Sequence, residues 1–191
     1  MRTSEIKRET KETKIKIKLN LDGGDIKIST GIGFFDHMLE AFALHGDFGL
    51  EIECKGDLIV DCHHTVEDVG IVLGKAFNSA LSDKSGISRF GNMYIPMDEA
   101  LAFCAADISG RPYLIFDAKF NNNSIGEYDT CMTEEFFRAF AFNAGITLHT
   151  KILYGVNDHH KIEALFKAAA HTLRIAVEEN TSKILSTKGS L

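Results

Sequence analysis

Two short motifs in the sequence have the residue types and the spacing of metal ligands. Residues 63–67 are HHTVE and residues 159–163 are HHKIE, so each motif places a glutamate four positions after the first of two adjacent histidines. At 3.6 residues per turn, that histidine and its glutamate lie about 40° apart around a helix axis, one turn from each other. Each pair can therefore chelate one ion.

The second histidine of each motif points in another direction. Adjacent residues on a helix diverge by about 100°, so His64 and His160 cannot easily reach the ion held by their own motif. We expect two metal sites, each assembled from pieces of both halves of the chain or of neighbouring subunits. Imidazole nitrogens with carboxylate oxygens suit Mn, Fe, Co, Ni or Zn, and without a thiolate they favour Mn(II) or Fe(II).

The two motifs occupy equivalent positions of an internal repeat. Residues 37–68 align with residues 135–164 with one short gap, and the alignment matches helix with helix and strand with strand. A single motif of this kind is typical of helix capping or of a solvated surface, but two equivalent copies favour metal binding. The repeat also sets His37 opposite Glu135, and a symmetric site would use both.

Hydrophobic periodicity indicates which elements carry these residues. Alternation predicts strands at 14–21 and 48–54, and Asp22-Gly23-Gly24 predicts that the first of these folds back on residues 25–29 as a hairpin. A helix is predicted over 34–45 with Gly46 as its C-cap, and a longer one from the first motif to about residue 81. In the second half, strands are predicted at 100–109, 111–120 and 146–153, and helices near 133–143 and 159–178.

Composition limits the class of protein. The chain has 191 residues, 45% of them hydrophobic and 25% charged, which suits one domain or two small halves that share a core. A net charge of −6 argues against general affinity for nucleic acid. No apolar run reaches membrane-spanning length, the N-terminus lacks the apolar stretch of a secretory signal, and the four cysteines show no CxxC spacing. We expect a cytoplasmic protein without a nucleic-acid or membrane partner.

Longer motifs carry a resemblance to a known family. They are TGIGFFDHMLEAFALHG, GDLIVDCHHTVEDVGIVLG, GISRFG, PMDEALA, DISGRPYL, YGVNDHHKIEALFKA and the terminal STKG. In this order, and over nearly the whole chain, they resemble imidazoleglycerol-phosphate dehydratases of histidine biosynthesis.

The resemblance implies a fold, a reaction and an assembly. The fold is α+β of the ribosomal protein S5 domain 2-like type, with internally duplicated β/α half-domains that each pack a sheet against helices. Residues 1–191 form a single domain of two pseudo-repeats, about 1–92 and 93–191. The reaction is dehydration of D-erythro-imidazole glycerol phosphate to imidazole acetol phosphate with two Mn(2+) ions per active site. The implied assembly is a homo-oligomer of 24 subunits built from trimers.

The resemblance also implies roles for particular residues. The metal ligands fall on His37, His63, His64, Glu67, Glu135, His159, His160 and Glu163. The position of Glu135 often holds histidine in the family, and a carboxylate is still a competent donor. The proton-transfer groups are Glu12 first, then Glu67 and Glu163. The substrate-binding residues, including those that would hold the phosphate, are Glu12, His37, His45, Arg89, Arg111, Ser186, Thr187 and Lys188.

The chemistry explains why metals are needed. The substrate proton that leaves lies beside no carbonyl, so the imidazole ring must supply the activation. With both ring nitrogens on metals, the ring is favoured as imidazolate, which expels the neighbouring hydroxyl to give a diazafulvene-like intermediate. Segment 96–100, PMDEA, is interpreted as mainly structural, with Asp98 or Glu99 as a partner for a histidine.

Two other classes of function remain open from the residues alone. A dinuclear metal-dependent phosphoesterase would use similar ligands with a bridging hydroxide. It would release phosphate, whereas the dehydratase keeps phosphate on its product. A non-catalytic metal-storage shell is the other class, but di-iron storage bundles use Glu-x-x-His on four long helices. The predicted strands and the reversed motif order argue against that.

Overall fold

Two sheets of the same strand order form the framework of the chain. The computed structural model describes residues 1–179. The first sheet contains β1 (Thr3–Glu9), β2 (Thr13–Asn20), β3 (Ile26–Ser29) and β4 (Gly49–Gly56) in the order β1-β2-β4-β3. The second contains β5 (Phe90–Met97), β6 (Ala100–Asp107), β7 (Tyr113–Asp117) and β10 (Thr147–Tyr154) in the order β5-β6-β10-β7. A small separate hairpin consists of β8 (Ser124–Ile125) and β9 (Tyr128–Asp129).

The sheets correspond strand by strand. In each, an antiparallel hairpin is followed by an antiparallel pair and then by one parallel pair at the far edge. The alternation of aliphatic residues and lysines along a strand explains why one face of the sheet is buried. In β2, Ile15, Ile17 and Leu19 are buried while the lysines between them are more exposed. The predicted α+β class with duplicated half-domains is confirmed.

Each of the four helices within residues 1–179 packs against a sheet, a helix of the other half, or both. They are α1 (Gly33–Gly46), α2 (His63–Ala80), α3 (Met132–Ala144) and α4 (Asp158–Val177). Helix α2 packs on the first sheet and α4 on the second. The other two helices cross over, since α1 packs on α4 of the other half and α3 on α2. Phenylalanine rings join α1 to α3, and all of these surfaces belong to one hydrophobic core. No helix within residues 1–179 has the length and apolar character needed to cross a bilayer.

Two local predictions are wrong. The segment after Asp22-Gly23-Gly24 does not form a hairpin with β2, because β1 and β4 already occupy both edges of β2, and β3 pairs in parallel with β4 instead. Helix α1 includes Gly46, and Asp47 takes the left-handed conformation that closes it, with φ 52°. In the second half Gly145 takes that conformation after α3, with φ 67°.

Strands β1 and β5 were not predicted. Ile6 is the one aliphatic side chain of β1, whose other residues are polar or charged, so the strand has no apolar alternation to detect. Strand β5 carries Pro96 and a glycine, both unfavourable inside strands. Each lies at the edge of its sheet, where one backbone side needs no partner strand.

Glycines let α2 approach α3 closely. A Cβ added at Gly74 would lie 2.5 Å from the carbonyl oxygen of Phe140 and 2.9 Å from Cβ of Asn143. One turn earlier, a Cβ at Gly70 would lie 2.9 Å from Cβ of Ala139. This contact sets the position of α3, which carries Glu135, relative to the HHTVE motif on α2.

We predict that Gly74→Ala lowers the free energy of unfolding by about 1–3 kcal/mol, because the added methyl overpacks a backbone contact. Denaturant unfolding at a fixed protein concentration measures the change. Gly33→Ala is the matched control, since a Cβ at this helical glycine meets nothing within 4 Å. Equal stability of the two variants would contradict the close packing of α2 and α3.

Candidate metal centre

One cluster in the structure has the donors of a metal site. Nε2 of His159 lies 3.3 Å from Oε2 of Glu163, and Nε2 of His37 lies 3.7 Å from the same oxygen. The three ligand atoms all lie within 4.8 Å of one another. This is the one group of three or more such ligands found within residues 1–179. It joins α1 of the first half to α4 of the second.

Helix starts hold the histidines in place. The side chain of Asn157, the N-cap residue of α4, accepts a hydrogen bond from the backbone N–H of His159 at 2.9 Å, and such a cap fixes the first turn of a helix. Asp61, which precedes the N-cap residue of α2, accepts a hydrogen bond from the backbone N–H of His63 at 2.8 Å. The ring of Phe34 packs edge-on against His159 with centroids 5.0 Å apart. The first two turns of α4 therefore present His159 and Glu163 toward His37.

The geometry of the cluster fits a bound metal ion. Bonds of about 2.1 Å put neighbouring octahedral ligand atoms about 3.0 Å apart and opposite ones about 4.2 Å apart. The distances of 3.3 and 3.7 Å lie between these limits. Two nitrogens and one carboxylate oxygen suit a divalent transition metal, and three protein ligands leave coordination positions for other groups.

Glu163 is buried and oriented from both sides. Its Oε1 lies 2.6 Å from Nζ of Lys167, which leaves Oε2 to face the two histidines. Burial opposes ionisation of this carboxyl, but Lys167 and the histidines outweigh that effect, so the pKa of Glu163 is lowered. The group is thus a fixed carboxylate.

The second histidines diverge from the first ones, as the helix geometry predicts. His63 and His159 each contact the glutamate of their own motif, whereas His64 and His160 contact carboxylates outside it. Nδ1 of His64 lies 3.1 Å from Asp57, and Nδ1 of His160 lies 2.7 Å from Glu99. These hydrogen bonds raise the pKa of both histidines. Of the two acidic residues proposed as a histidine partner, Glu99 makes the hydrogen bond.

The Nε2 atoms of these histidines face two further carboxylates. Glu12, in the turn between β1 and β2, lies 3.7 Å from Nε2 of His64. Asp98, in the turn between β5 and β6, lies 3.6 Å from Nε2 of His160. The two turns are equivalent in the repeated sheets. Asp57 was missed from the sequence although it lies only seven residues before His64, because no periodic pattern links a loop residue to the helix that follows it. The paired contacts of the two turns were missed because nothing local links a turn to a distant helix start.

The first-half counterpart of the cluster is less compact. Nε2 of His63 lies 3.5 Å from Glu67, as the spacing predicts. Glu135 accepts a hydrogen bond from Arg138 on its own helix at 2.8 Å. Within residues 1–179, Glu135 does not join His63 and Glu67 in a second group of closely spaced ligands. Its role as a ligand stays a prediction.

The expected anion-binding residues lie partly together. Nε of Arg89 donates to Asp107 at 2.7 Å, and Arg111 reaches the same carboxylate at 3.9 Å. Two of the predicted phosphate-binding side chains therefore converge on Asp107. The remaining candidates of the terminal STKG segment, Ser186, Thr187 and Lys188, lie outside the described residues.

His45 is not one of the three ligands of the cluster. Its Nδ1 is 3.1 Å from Nε2 of His171, so α1 and α4 are joined at a second point. Burial is the main cause that lowers the pKa of His45, and the charge of Lys167 adds to it. The structure therefore gives His45 a protein partner, and its role toward substrate stays a prediction.

A buried ion pair supports the start of α4. Asp158 accepts hydrogen bonds from the backbone N–H groups of Asn121 and Asn122, at 2.8 and 2.7 Å. It also pairs with Lys161 at 2.8 Å, and the two side chains are only 1% and 5% exposed. The pair ties the loop after β7 to the residue that precedes His159.

We predict that Asp158→Asn lowers the free energy of unfolding by about 3–5 kcal/mol, because it leaves the Lys161 ammonium buried without its counter-charge. The control is Asp25→Asn, whose partner Lys27 is exposed. An exposed pair contributes much less than a buried one, because water and salt screen it. Chemical denaturation of both variants makes the comparison, and similar small losses would show that the Asp158 pair is not a stabilising anchor.

Fold and site together define a duplicated α+β protein with a histidine–carboxylate centre between its halves. Comparison with known proteins is more specific. The family model described as imidazoleglycerol-phosphate dehydratase matches residues 30–173. The chain belongs to the imidazoleglycerol-phosphate dehydratase family. The resemblance noted from the sequence is confirmed, and with it the predicted enzyme class, a dehydratase of histidine biosynthesis.

Relatives match along the whole chain. Imidazoleglycerol-phosphate dehydratases of Bacillus thuringiensis (strain Al Hakam) and Bacillus cereus (strain AH820) are each 58% identical over 194 aligned residues, with 100% of both chains covered. The crystal structure of the Staphylococcus aureus N315 enzyme has 42% identity and a TM-score of 0.86, covering 93% of this chain and 99% of that one. The structure from Pyrococcus furiosus, a complex with (S)-C348, has 36% identity and a TM-score of 0.86, covering 97% and 100%.

Proposed function

We propose that the chain dehydrates D-erythro-imidazole glycerol phosphate to imidazole acetol phosphate at a centre of two Mn(2+) ions. Membership of the dehydratase family supports the reaction. The main support for the metal centre is the cluster of His37, His159 and Glu163, whose ligand atoms lie within 4.8 Å of one another.

In this proposal the repeat supplies two sets of ligands. His37, His159 and Glu163 hold one ion, and the equivalent positions Glu135, His63 and Glu67 hold the other. The diverging His64 and His160 complete the coordination from outside these sets. When bound, the ions would act as Lewis acids on the imidazole ring of the substrate and so activate its side chain.

The carboxylates of the site have different roles in proton transfer in this proposal. Glu163 is held by Lys167 and faces the histidines, so it is better placed as a ligand than as a mobile base. Glu12 extends from the β1–β2 turn to 3.7 Å from His64 and keeps an exposed carboxylate. We therefore assign the principal proton transfer to Glu12, with Glu67 and Glu163 as secondary groups.

The substrate phosphate requires cations on an acidic protein. Arg89 and Arg111 supply guanidinium groups near Asp107, and guanidinium suits bidentate contact with phosphate. Ser186, Thr187 and Lys188 complete this part of the proposal from sequence position. His37 and His45 contact the remainder of the substrate.

Assembly into a 24-subunit shell of trimers is part of the proposal. The loops that precede both histidine motifs expose apolar side chains, with Ile59 98% and Val156 76% exposed. The outer faces of the two sheets also differ. The first carries ion pairs such as Lys18 with Glu51, whereas the second carries aromatic contacts such as Tyr94 with Phe103. Apolar patches beside the motifs suit burial against other copies. We assign the protein to the cytoplasm, where its unpaired cysteines stay reduced.

The alternative of a dinuclear phosphoesterase is not favoured. The family model that matches residues 30–173 and the relatives that match the whole chain are dehydratases. The two activities differ in product, because the dehydratase forms a ketone and retains phosphate. Product analysis by NMR separates them.

We predict that His159→Ala removes at least half of the bound Mn(2+) and abolishes dehydration, because it breaks the most compact ligand set. Metal analysis of dialysed protein measures the loss. His149→Ala is the matched control, since this histidine is exposed on β10 and lies outside the cluster. Full metal content with normal turnover in His159→Ala would refute the two-metal site.

We predict that Glu12→Gln leaves metal content and subunit assembly intact but lowers kcat by about 100-fold or more, as expected when a general acid–base group is lost. Glu9→Gln controls for a change of charge in the same segment, because Glu9 is exposed and pairs with Lys14. Unchanged turnover in Glu12→Gln would exclude this residue from proton transfer.

A further inference from the structure

His64 and His160, the second histidines of the two motifs, make the same kind of contact, and the repeat does not explain it. His64 is hydrogen-bonded through Nδ1 to both carboxylate oxygens of Asp57, at 3.2 and 3.1 Å. His160 is hydrogen-bonded through Nδ1 to Oε2 of Glu99, at 2.7 Å. Asp57 follows β4, whereas Glu99 lies in the β5–β6 turn, so the two carboxylates come from non-equivalent places. Duplication alone does not produce this match.

The contact determines which nitrogen of each ring carries the proton. A carboxylate only accepts hydrogen bonds, so in a neutral imidazole the proton must lie on Nδ1. Glu12 at 3.7 Å from Nε2 of His64 and Asp98 at 3.6 Å from Nε2 of His160 lie beyond hydrogen-bonding distance. Nε2 then has its lone pair free, which is the form that binds a metal. Without the carboxylate the proton can occupy either nitrogen, and part of the population would block Nε2.

Both carboxylates belong to ordered turns, and that of Glu99 is itself held in place. Oε1 of Glu99 accepts from the backbone N–H groups of Val156 and Asn157, at 3.0 and 2.7 Å, which leaves Oε2 for His160. The same residue therefore joins the β5–β6 turn to the start of α4. The backbone carbonyl of Asp57 accepts from the N–H of Val60 at 2.8 Å and closes a turn before α2. Each ring is oriented by a carboxylate on an ordered turn.

We propose that Asp57 and Glu99 are positioning residues, which hold His64 and His160 in the Nδ1–H tautomer and so present Nε2 of each as a metal ligand. The proposal rests on the proposed function, in which both histidines bind metal. It adds two residues, from two different loops, to the groups on which metal affinity depends. Second-sphere partners of this kind change metal affinity by about 10–100-fold when they are removed.

The structure gives a sharp test at Glu99. In Glu99→Gln, the side-chain oxygen still accepts from Val156 and Asn157, so the amide NH2 turns toward His160. Nδ1 of His160 must then accept a hydrogen bond, and its proton moves to Nε2. The variant keeps the turn but selects the wrong tautomer. At the other site, Asp57→Leu removes the acceptor and keeps the approximate shape of the side chain.

Mn(2+) binding to the metal-stripped full-length protein measures the effect by equilibrium dialysis. We expect each variant to bind Mn(2+) about 10–100-fold more weakly than the parent, with the circular dichroism of the metal-free protein unchanged. Glu99→Asp restores a carboxylate and should recover part of the affinity, which a purely structural role for the amide variant would not predict. Glu51→Gln is the control, because Glu51 pairs with Lys18 and no histidine.

Three outcomes of the Mn(2+) binding experiment would contradict the proposal, and they can be told apart. If His160→Ala weakens Mn(2+) binding while Glu99→Gln and Asp57→Leu stay within twofold of the parent, the positioning proposal is wrong and the metal site stands. If only one of the two carboxylate variants loses affinity, the paired role is overturned. If the parent itself binds no Mn(2+), the proposed function fails first, and the positioning role fails with it.

Discussion

The packing of helices from one half against helices of the other is the constraint on which the rest of the structure depends. Helix α1 packs on α4 and α3 packs on α2, so the first helix of each half is covered by the second helix of the other. Phenylalanine rings such as Phe35 and Phe136 fill the space between α1 and α3, with centroids 5.4 Å apart. Burial of these rings stabilises the packing of the two halves against each other. Because His37 lies on α1 and Glu163 on α4, the same packing assembles the candidate metal centre.

The site combines this packing with short-range order at the helix starts. The side chains of Asp61 and Asn157 hydrogen-bond the backbone at the starts of α2 and α4, so the histidines project from ordered helix starts rather than from loops. Glu163 adds a carboxylate whose two oxygens have separate partners, Lys167 on one side and the histidines on the other. Groups held in this way lose little side-chain entropy when a ligand binds.

The halves share their topology but not their chemistry. Glu163 is 8% exposed and anchored by Lys167, whereas its counterpart Glu67 is 43% exposed and is followed one turn later by Ile71. His37 likewise corresponds to Glu135, which is paired with an arginine of its own helix. The second motif is therefore preorganised within one chain, and the first leaves more to be ordered by ligands or by other copies. The duplicated frame explains why two equivalent sets exist, while individual side chains decide how rigid each set is.

The sequence alone determined the features that depend on local geometry. Helical periodicity predicted all four helices to within a few residues, and the pairs His63 with Glu67 and His159 with Glu163 followed from 3.6 residues per turn. The repeat predicted matching halves because both copies keep the same order of elements. Tertiary structure alone decided that β3 pairs with β4, that α1 crosses to α4, and that Glu99 rather than Asp98 hydrogen-bonds Nδ1 of His160. These contacts join residues far apart in the chain, and their geometry depends on how the whole core packs rather than on any local pattern.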